Sequence, residues 1–235
     1  METALRDSCN IFFYNCAKRL GITKMNEYAS AFGLGQKTGV EIAESAGTLA
    51  GPEEREAAGG VWQSGDTIQA GIGQSDNLFT PLQLSNYCAT VANGGTRYQL
   101  HLVQSLIDNS SGTVTETQPK IEESLDLHKS TLTAVKSGMR LVATQGAPSL
   151  IFNQLRTEVA AKTGTSQVFV NGVKKNNGFL ITFAPYDNPE ISVASVVELA
   201  GSGTSTAEIT SSIIKYWYQN NTDEKTNQKT GALLN

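Results

Sequence analysis

The end of the chain carries the pattern that most restricts its fold. Three runs rich in β-branched and apolar residues are separated by two short turn signals, Asn171-Gly172 and the stretch from Pro185 to Pro189. The runs cover residues 159–169, 178–184 and 191–199. Strands joined by such short connections pair antiparallel, because parallel neighbours need a crossover of about a dozen residues or more. The sequence therefore predicts a three-stranded antiparallel meander.

Helical periodicity is found on both sides of this meander and earlier in the chain. The clearest helix begins at Thr80-Pro81, with Thr80 as N-cap and Pro81 in the first helical position, and ends at Asn93. Further helices are predicted over residues 10–20, 24–32, 130–144 and 206–219, and long glycine-rich loops over 33–69. A hairpin is predicted within 98–118. The polar tail, residues 221–235, is predicted to be disordered.

Composition excludes several classes of protein. The formal net charge is −4 and lysines and arginines do not cluster, which argues against a nucleic-acid partner. Three cysteines cannot close a disulfide framework, and two histidines offer little material for a metal site or a histidine triad. No apolar run is long enough to span a membrane, and the first residues do not form a secretory signal. We therefore expect a soluble chain with neither metal nor organic cofactor.

A tripeptide Lys-Thr-Gly that serine penicillin-recognising enzymes carry on a strand occurs three times. The copies begin at Lys37, Lys162 and Lys229. Only the middle copy lies in a strand-like run. There, Lys162 would supply positive charge, the hydroxyls of Thr163 and Thr165 would hold a carboxylate, and Gly164 would leave space for a substrate backbone. The N–H of Thr165 is a candidate oxyanion donor. A threonine-rich edge strand with a solvated lysine is the alternative.

The companion pattern Ser-x-Asn occurs twice. Ser8-Cys9-Asn10 stands directly before an apolar helix, where Asp7 or Ser8 could simply be an N-cap. Ser75-Asp76-Asn77 follows a glycine-rich segment, where an Asx-turn explains it equally well. Neither tripeptide is decisive alone.

The order of several longer motifs resembles that of the penicillin-binding transpeptidases, especially the class B enzymes of bacterial cell-wall synthesis and cell shape. These motifs are Ser8-Cys-Asn-Ile-Phe-Phe-Tyr14 with Leu20-Gly21, Phe32-Gly-Leu-Gly-Gln-Lys-Thr-Gly-Val40, Ala70-Gly-Ile-Gly-Gln74 with Thr80-Pro-Leu-Gln-Leu84, Ala92-Asn-Gly-Gly95, and Ala161-Lys-Thr-Gly-Thr165 with Ala184-Pro185 and Asn188-Pro-Glu190. The resemblance runs from residue 8 to about residue 219. It implies an α+β fold in which an antiparallel sheet packs with helices, as in the serine β-lactamases and D,D-transpeptidases, with residues 1–220 forming the C-terminal part of a transpeptidase domain.

The resemblance also implies a reaction and assigns residues to it. A serine would be acylated by a peptidoglycan stem peptide ending in D-Ala-D-Ala, and the acyl group would pass to an amine of a neighbouring strand, with β-lactams as substrate mimics. Ser8 would relay a proton and Asn10 would bind the substrate amide. Lys162, Thr163, Gly164 and Thr165 would hold the carboxylate and the oxyanion. By the same resemblance, the Lys-Thr-Gly that begins at Lys37 and the Ser-x-Asn that begins at Ser75 are structural. Ala161 stands where the family commonly has glycine.

One element of the family pattern is missing. Only seven residues precede Ser8 and they contain no Ser-x-x-Lys; the one such motif, Ser212-Ile-Ile-Lys215, comes after the meander. There we expect a terminal helix that packs Ile209, Ile213, Ile214 and Trp217 against the sheet, which keeps Ser212 away from Lys162. The resemblance then implies a chain that lacks its nucleophile, its N-terminal segment and its membrane anchor, and that is inactive alone.

Two other functions share these motifs. One is a serine β-lactamase-like enzyme, and the other is a non-catalytic penicillin-binding or sensor module. For the transpeptidase, the parent protein is expected at the outer face of the bacterial cytoplasmic membrane with partners of cell-wall synthesis. A Ser-x-x-Lys motif before Ser8 in the parent protein would favour an enzyme over the non-catalytic module.

Overall fold

The computed structural model describes residues 1–231, with side chains up to residue 221. Its helices are α1 Glu2–Arg6, α2 Asn10–Leu20, α3 Ile22–Ala31, α4 Pro52–Ala57, α5 Ser64–Ala70, α6 Pro81–Ala92, α7 Lys129–Gln145, α8 Ser149–Phe152 and α9 Ala207–Gly231. Its strands are β1 Thr96–Tyr98, β2 Ser105–Ile107, β3 Val114–Glu116, β4 Ile121–Ser124, β5 Ala160–Val170, β6 Val173–Ala184 and β7 Ile191–Val197. The chain divides into two compact units, one built from Met1–Ser8 and the chain from Thr133 onward, the other from Cys9–Leu132.

The first unit contains the predicted meander. Strands β5, β6 and β7 form an antiparallel sheet in that order, which confirms the α+β class. Pairing of β5 with β6 runs from Ala160 opposite Phe183 to Val170 opposite Val173, whereas β7 covers only Gly178–Ala184 of β6. The core of this unit is made of side chains from the sheet and from α7, α8 and α9: Val142, Ala143, Phe152, Val159, Ala161, Leu180, Ala184, Val193, Ala207 and Ile214.

Helix α9 packs on the sheet along a narrower stripe than the sequence predicts. Thr210 and Ile214 are fully buried, but Ile209 and Ile213 are 48% and 43% exposed. The expectation that these two isoleucines pack inward is therefore wrong. The buried positions follow Ala207 at intervals of three and four residues, so a single line of side chains meets the sheet. The helix continues past residue 219 to Gly231. Residues 232–235 lie outside the described residues, and disorder of the tail 221–235 stays a prediction.

A buried hydroxyl in the central strand leads to a prediction about stability. Thr182 is fully buried in β6, and its Oγ1 has no hydrogen-bond partner among the described residues. A buried polar group without a partner lowers stability, so Thr182→Val should raise the free energy of unfolding by about 1 kcal/mol. Denaturant unfolding measures this change. As a control, Thr210→Val removes the 2.7 Å hydrogen bond to Ser195 and should lower that free energy by about 1 to 2 kcal/mol. A loss of stability in both variants would contradict the expectation for Thr182.

The second unit is organised around α6, which begins where the sequence predicts. Thr80 and Gln83 form a reciprocal capping box, with Gln83 N donating to Thr80 Oγ1 and Thr80 N donating to Gln83 Oε1. Gln83 is almost fully buried, and its Nε2 donates to the carbonyls of Gln36 and Ala46. One side chain thus ties the glycine-rich loops to the start of α6. Two small antiparallel pairs, β1 with β4 and β2 with β3, complete this unit.

Candidate active site

The lysine of the strand-borne Lys-Thr-Gly meets the serine of the first Ser-x-Asn motif. Lys162 Nζ donates to Ser8 Oγ over 2.6 Å and to the carbonyl of Thr163 over 2.7 Å. Both residues belong to the first unit, although 154 positions separate them in the sequence. The ammonium of Lys162 is therefore not simply solvated, because it is held beside the hydroxyl group of Ser8, and its part in substrate binding stays a prediction.

Ser8 follows the short helix α1, and its N–H donates to the carbonyl of Leu5 over 3.2 Å. Gly138 of α7 leaves space for Leu5 of α1, because a β-carbon at Gly138 would lie 2.6 Å from Leu5 Cδ1. Ser8 itself has φ of +48°, in the left-handed region that non-glycine residues seldom adopt. Its side chain does not cap α2, whose N-cap is Cys9 with no side-chain cap hydrogen bond. Asp7 binds Arg6 instead.

The environment of Lys162 suits an anionic ligand. Burial lowers the pKa of its ammonium to about 8, because the charged form loses hydration. None of the ion pairs found among the described residues includes Lys162. A ligand carboxylate would therefore gain a charge-assisted contact with a cation that has no carboxylate partner in this part of the chain.

The three residues after Lys162 lie on the outer strand of the described sheet. Thr163, Gly164 and Thr165 stand opposite Leu180, Phe179 and Gly178 of β6, and Thr165 is exposed. Among the described residues, β5 has a strand partner on one side only. Extended ligands bind such strands through the main chain.

Asn10 is the first residue of α2 and is exposed. It belongs to the second unit, whereas Ser8 ends the first stretch of the other unit. Its contact with a substrate amide stays a prediction.

The copy of Lys-Thr-Gly in the glycine-rich loop is occupied by a carboxylate of the protein. Glu44 accepts hydrogen bonds from Thr38 N, Thr38 Oγ1 and Gly39 N at 2.9, 2.8 and 2.8 Å. The groups that could hold a substrate carboxylate are thus already satisfied in the second unit. The copy at Lys229 lies where no side chains are described.

The second Ser-x-Asn motif also makes structural contacts. Asn77 Oδ1 accepts from Ala50 N, and its Nδ2 donates to the carbonyls of Ala70 and Gln74. Ser75 Oγ accepts from Arg55 over 3.3 Å. These bonds hold the glycine-rich loops together and leave the first motif as the candidate for catalysis.

The one Ser-x-x-Lys motif lies in a different cleft of the first unit. Ser212 Oγ donates to the carbonyl of Glu208 over 2.9 Å. Ser212 and Lys215 line a cleft of about 460 Å³ together with the segment 154–157. Lys162 is not among the residues that line this cleft.

Two glycines border the strand with the Lys-Thr-Gly motif, and the sequence did not predict a role for either of them. Gly178 and Gly203 each lie too close to neighbouring main chain for a side chain to fit. Their only signal in the sequence is that both lie within or just after predicted strands.

Among the described residues there is no group of three or more His, Cys, Asp or Glu side chains that could hold a metal ion. None of the described helices is long and apolar enough to cross a membrane.

The fold agrees with that of known penicillin-binding transpeptidase domains. Penicillin-binding protein 2 of Helicobacter pylori, solved in complex with MreC, superposes with a TM-score of 0.79 at 25% identity, over 93% of this chain and 40% of that chain. The family model of the penicillin binding protein transpeptidase domain matches residues 1–215. The chain belongs to this family.

Two curated relatives match most of this chain in sequence. The peptidoglycan D,D-transpeptidase MrdA of Escherichia coli K12 is 31% identical over 94% of this chain and 37% of its own length. Penicillin-binding protein 2A of Bacillus subtilis is 32% identical over 84% of this chain and 30% of its own length. The chain thus spans about a third of the curated relatives that it matches.

Proposed function

We propose that the parent of this chain is a peptidoglycan D,D-transpeptidase that cross-links cell-wall strands through a serine acyl-enzyme. The family match and the relatives named as D,D-transpeptidases support this reaction class. The observation that carries the proposal is the 2.6 Å hydrogen bond between Lys162 Nζ and Ser8 Oγ. It joins Ser8 and Lys162, one residue from each of two motifs that this chemistry uses, and both residues belong to one unit.

The reaction has two acyl transfers. A serine hydroxyl attacks the carbonyl between the two terminal D-Ala residues, an ester forms, the amide bond breaks, and the departing D-Ala takes up a proton. An amine of a second strand then attacks the ester, a new amide forms, and the serine hydroxyl is restored. Dividing one acyl transfer in this way requires neither metal nor organic cofactor.

Each site residue has a role in these steps. Lys162 provides positive charge, and the hydroxyls of Thr163 and Thr165 bind the terminal carboxylate of the stem peptide. Ser8 relays the proton to the leaving amine, and the N–H of Thr165 stabilises the oxyanion. Gly164 lets the substrate backbone lie along β5, and Asn10 binds the substrate amide.

The nucleophile is proposed to lie in a part of the parent outside residues 1–235, since the chain spans about a third of its curated relatives. The one Ser-x-x-Lys within residues 1–235, at Ser212, lies in a cleft that Lys162 does not line. We infer that the chain alone is inactive. We also infer that the parent acts with partners of cell-wall synthesis, which the complex of the Helicobacter protein with MreC and the structurally similar chain of a peptidoglycan synthase complex support. A position at the outer face of the cytoplasmic membrane is part of the same proposal.

The pH dependence of penicillin acylation tests this proposal. The parent should react with one equivalent of fluorescent penicillin, and the second-order rate constant should fall as the pH rises through about 8, because Lys162 loses its proton there. The control is the methyl ester of the same penicillin, which lacks the carboxylate and should not show this decrease. Absence of any labelling would contradict the proposed function. An equal decrease for acid and ester would contradict the role of Lys162.

A further inference from the structure

The turn between β7 and α9 lies directly on the main chain of the strand with the Lys-Thr-Gly motif. This turn contains a short 3-10 helix, Gly203–Thr206. A β-carbon at Gly203 would lie 2.4 Å from Gly164 O, 2.8 Å from Gly164 N and 2.3 Å from Phe179 O. All three neighbours are backbone atoms, which cannot rotate away as a side chain can. Gly203 therefore allows an approach that any other residue would prevent.

A second close approach between the turn and the sheet lies at Gly178, next to Phe179 on β6. Gly178 of β6 stands opposite Thr165 in the sheet register. A β-carbon at Gly178 would lie 2.3 Å from the carbonyl oxygen of Ser202, in the same turn. Gly178 and Gly203, which we call the glycine notch, thus bring the turn against Gly164 and against the partner of Thr165.

Hydrogen bonds hold the turn in the notch from both sides. Leu199 N donates to Asn177 Oδ1 over 3.0 Å, and Gly201 N donates to the carbonyl of Asn176 over 3.1 Å. At the other end, the fully buried Thr206 donates from Oγ1 to the carbonyl of Gly203 over 2.8 Å. The turn is therefore tied to β6 by hydrogen bonds in addition to its close contacts with Gly164 and Phe179.

We propose that Gly203 is a positioning residue for the reaction. It touches no substrate, but it fixes the place of Gly164 and, through the chain, of the Thr165 N–H and of Lys162. This inference rests on the proposed function. Acyl transfer is sensitive to such placement, since a shift of about 1 Å can cost about 100-fold in rate.

Gly203→Ala in the parent protein tests the proposal. The added methyl must push the turn and the strand apart, so the rate constant of acylation by fluorescent penicillin should fall roughly tenfold or more. The final labelled fraction should remain one per protein, because every folded molecule still reacts. A variant that is merely less stable would instead lose labelled fraction at an unchanged rate. An unchanged rate constant in folded Gly203→Ala would overturn the proposal.

Gly201→Ala is the matched control in the same turn. Gly201 has φ of +82°, so alanine is strained there, yet a β-carbon would meet nothing within 4 Å. The substitution strains the turn without touching β5, and its acylation rate constant should stay within about twofold of the parent. An equal loss in both variants would overturn the role of the notch.

If Gly203→Ala does not fold, two substitutions of Thr206 test the positioning role of Gly203 instead. Thr206→Val removes the hydroxyl that binds the carbonyl of Gly203 and should slow acylation several-fold, while Thr206→Ser keeps the hydroxyl and should restore the rate. Equal rates in these two variants would overturn the proposal. Lys162→Ala, measured alongside, separates the two hypotheses. If neither the parent nor any variant is labelled, the proposed function is wrong; if the parent is labelled and Lys162→Ala is slow while Gly203→Ala and Thr206→Val react normally, only the positioning role is wrong.

Discussion

Lys162→Ala in the parent protein should lower the rate constant of penicillin acylation by about 100-fold to 1,000-fold. The ammonium contacts Ser8 Oγ and forms no ion pair among the described residues, so its removal takes away both the partner of that hydroxyl and the charge that would bind a carboxylate. Groups placed to stabilise developing or bound charge in a closed site have effects of this size. Stopped-flow or gel-based kinetics with a fluorescent penicillin measure the change.

Lys37→Ala is the matched control for this substitution. It changes the same residue type in the same tripeptide, but Thr38 and Gly39 already donate to the carboxylate of Glu44. We expect an acylation rate constant within about twofold of the unsubstituted parent, as is usual for a surface substitution. Equal losses in the two variants would show that the strand-borne copy was chosen wrongly.

The polypeptide of residues 1–235 by itself should not be acylated by penicillin. Incubation with fluorescent penicillin should give no stable label, because acylation needs an activated serine and the one Ser-x-x-Lys within residues 1–235 lies in a cleft that Lys162 does not line. Under the same conditions the parent should be labelled to one equivalent. Denaturing gels give the stoichiometry, and circular dichroism establishes that the shorter polypeptide is folded when it is tested.

The position of any adduct would show which part of the account is wrong. Label on Ser212 would mean that the cleft beside Lys215 is the reactive site and that the Ser8 and Lys162 pair is structural. Label on Ser8 would mean that this hydroxyl is itself the nucleophile. In both cases the inference that the nucleophile lies outside residues 1–235 would be contradicted.

The parts of the fold that depend on local signals were predictable from the sequence. The turns at Asn171-Gly172 and at Pro185 separate runs of strand-forming residues, so the meander and its order follow directly. The start of α6 was equally clear, because Thr80 and Pro81 satisfy the capping rules without help from distant residues. The position of the middle Lys-Thr-Gly within a strand was predictable from its β-branched and apolar neighbours, whereas the role of Lys162 stays a prediction.

What depends on distant contacts was not predictable. Nothing near Lys37 in the sequence indicates that Glu44 turns back to bind Thr38 and Gly39. The exposure of Ile209 and Ile213 depends on how many side chains the sheet can accept from α9, which periodicity alone does not give. Gly203 acquires its role only because three strands and a turn place it on Gly164. A single glycine after a strand carries no such information.

We propose that Ser8 and Lys162 belong to the site where the parent binds a carboxylate beside an acylated serine. A crystal structure of the parent acylated by a β-lactam would locate both groups. We predict an ester to a serine outside residues 1–235, with the β-lactam carboxylate bonded to the hydroxyls of Thr163 or Thr165 and close to Lys162. A carboxylate bound at Thr38 and Gly39, or an ester on Ser212, would contradict the claim.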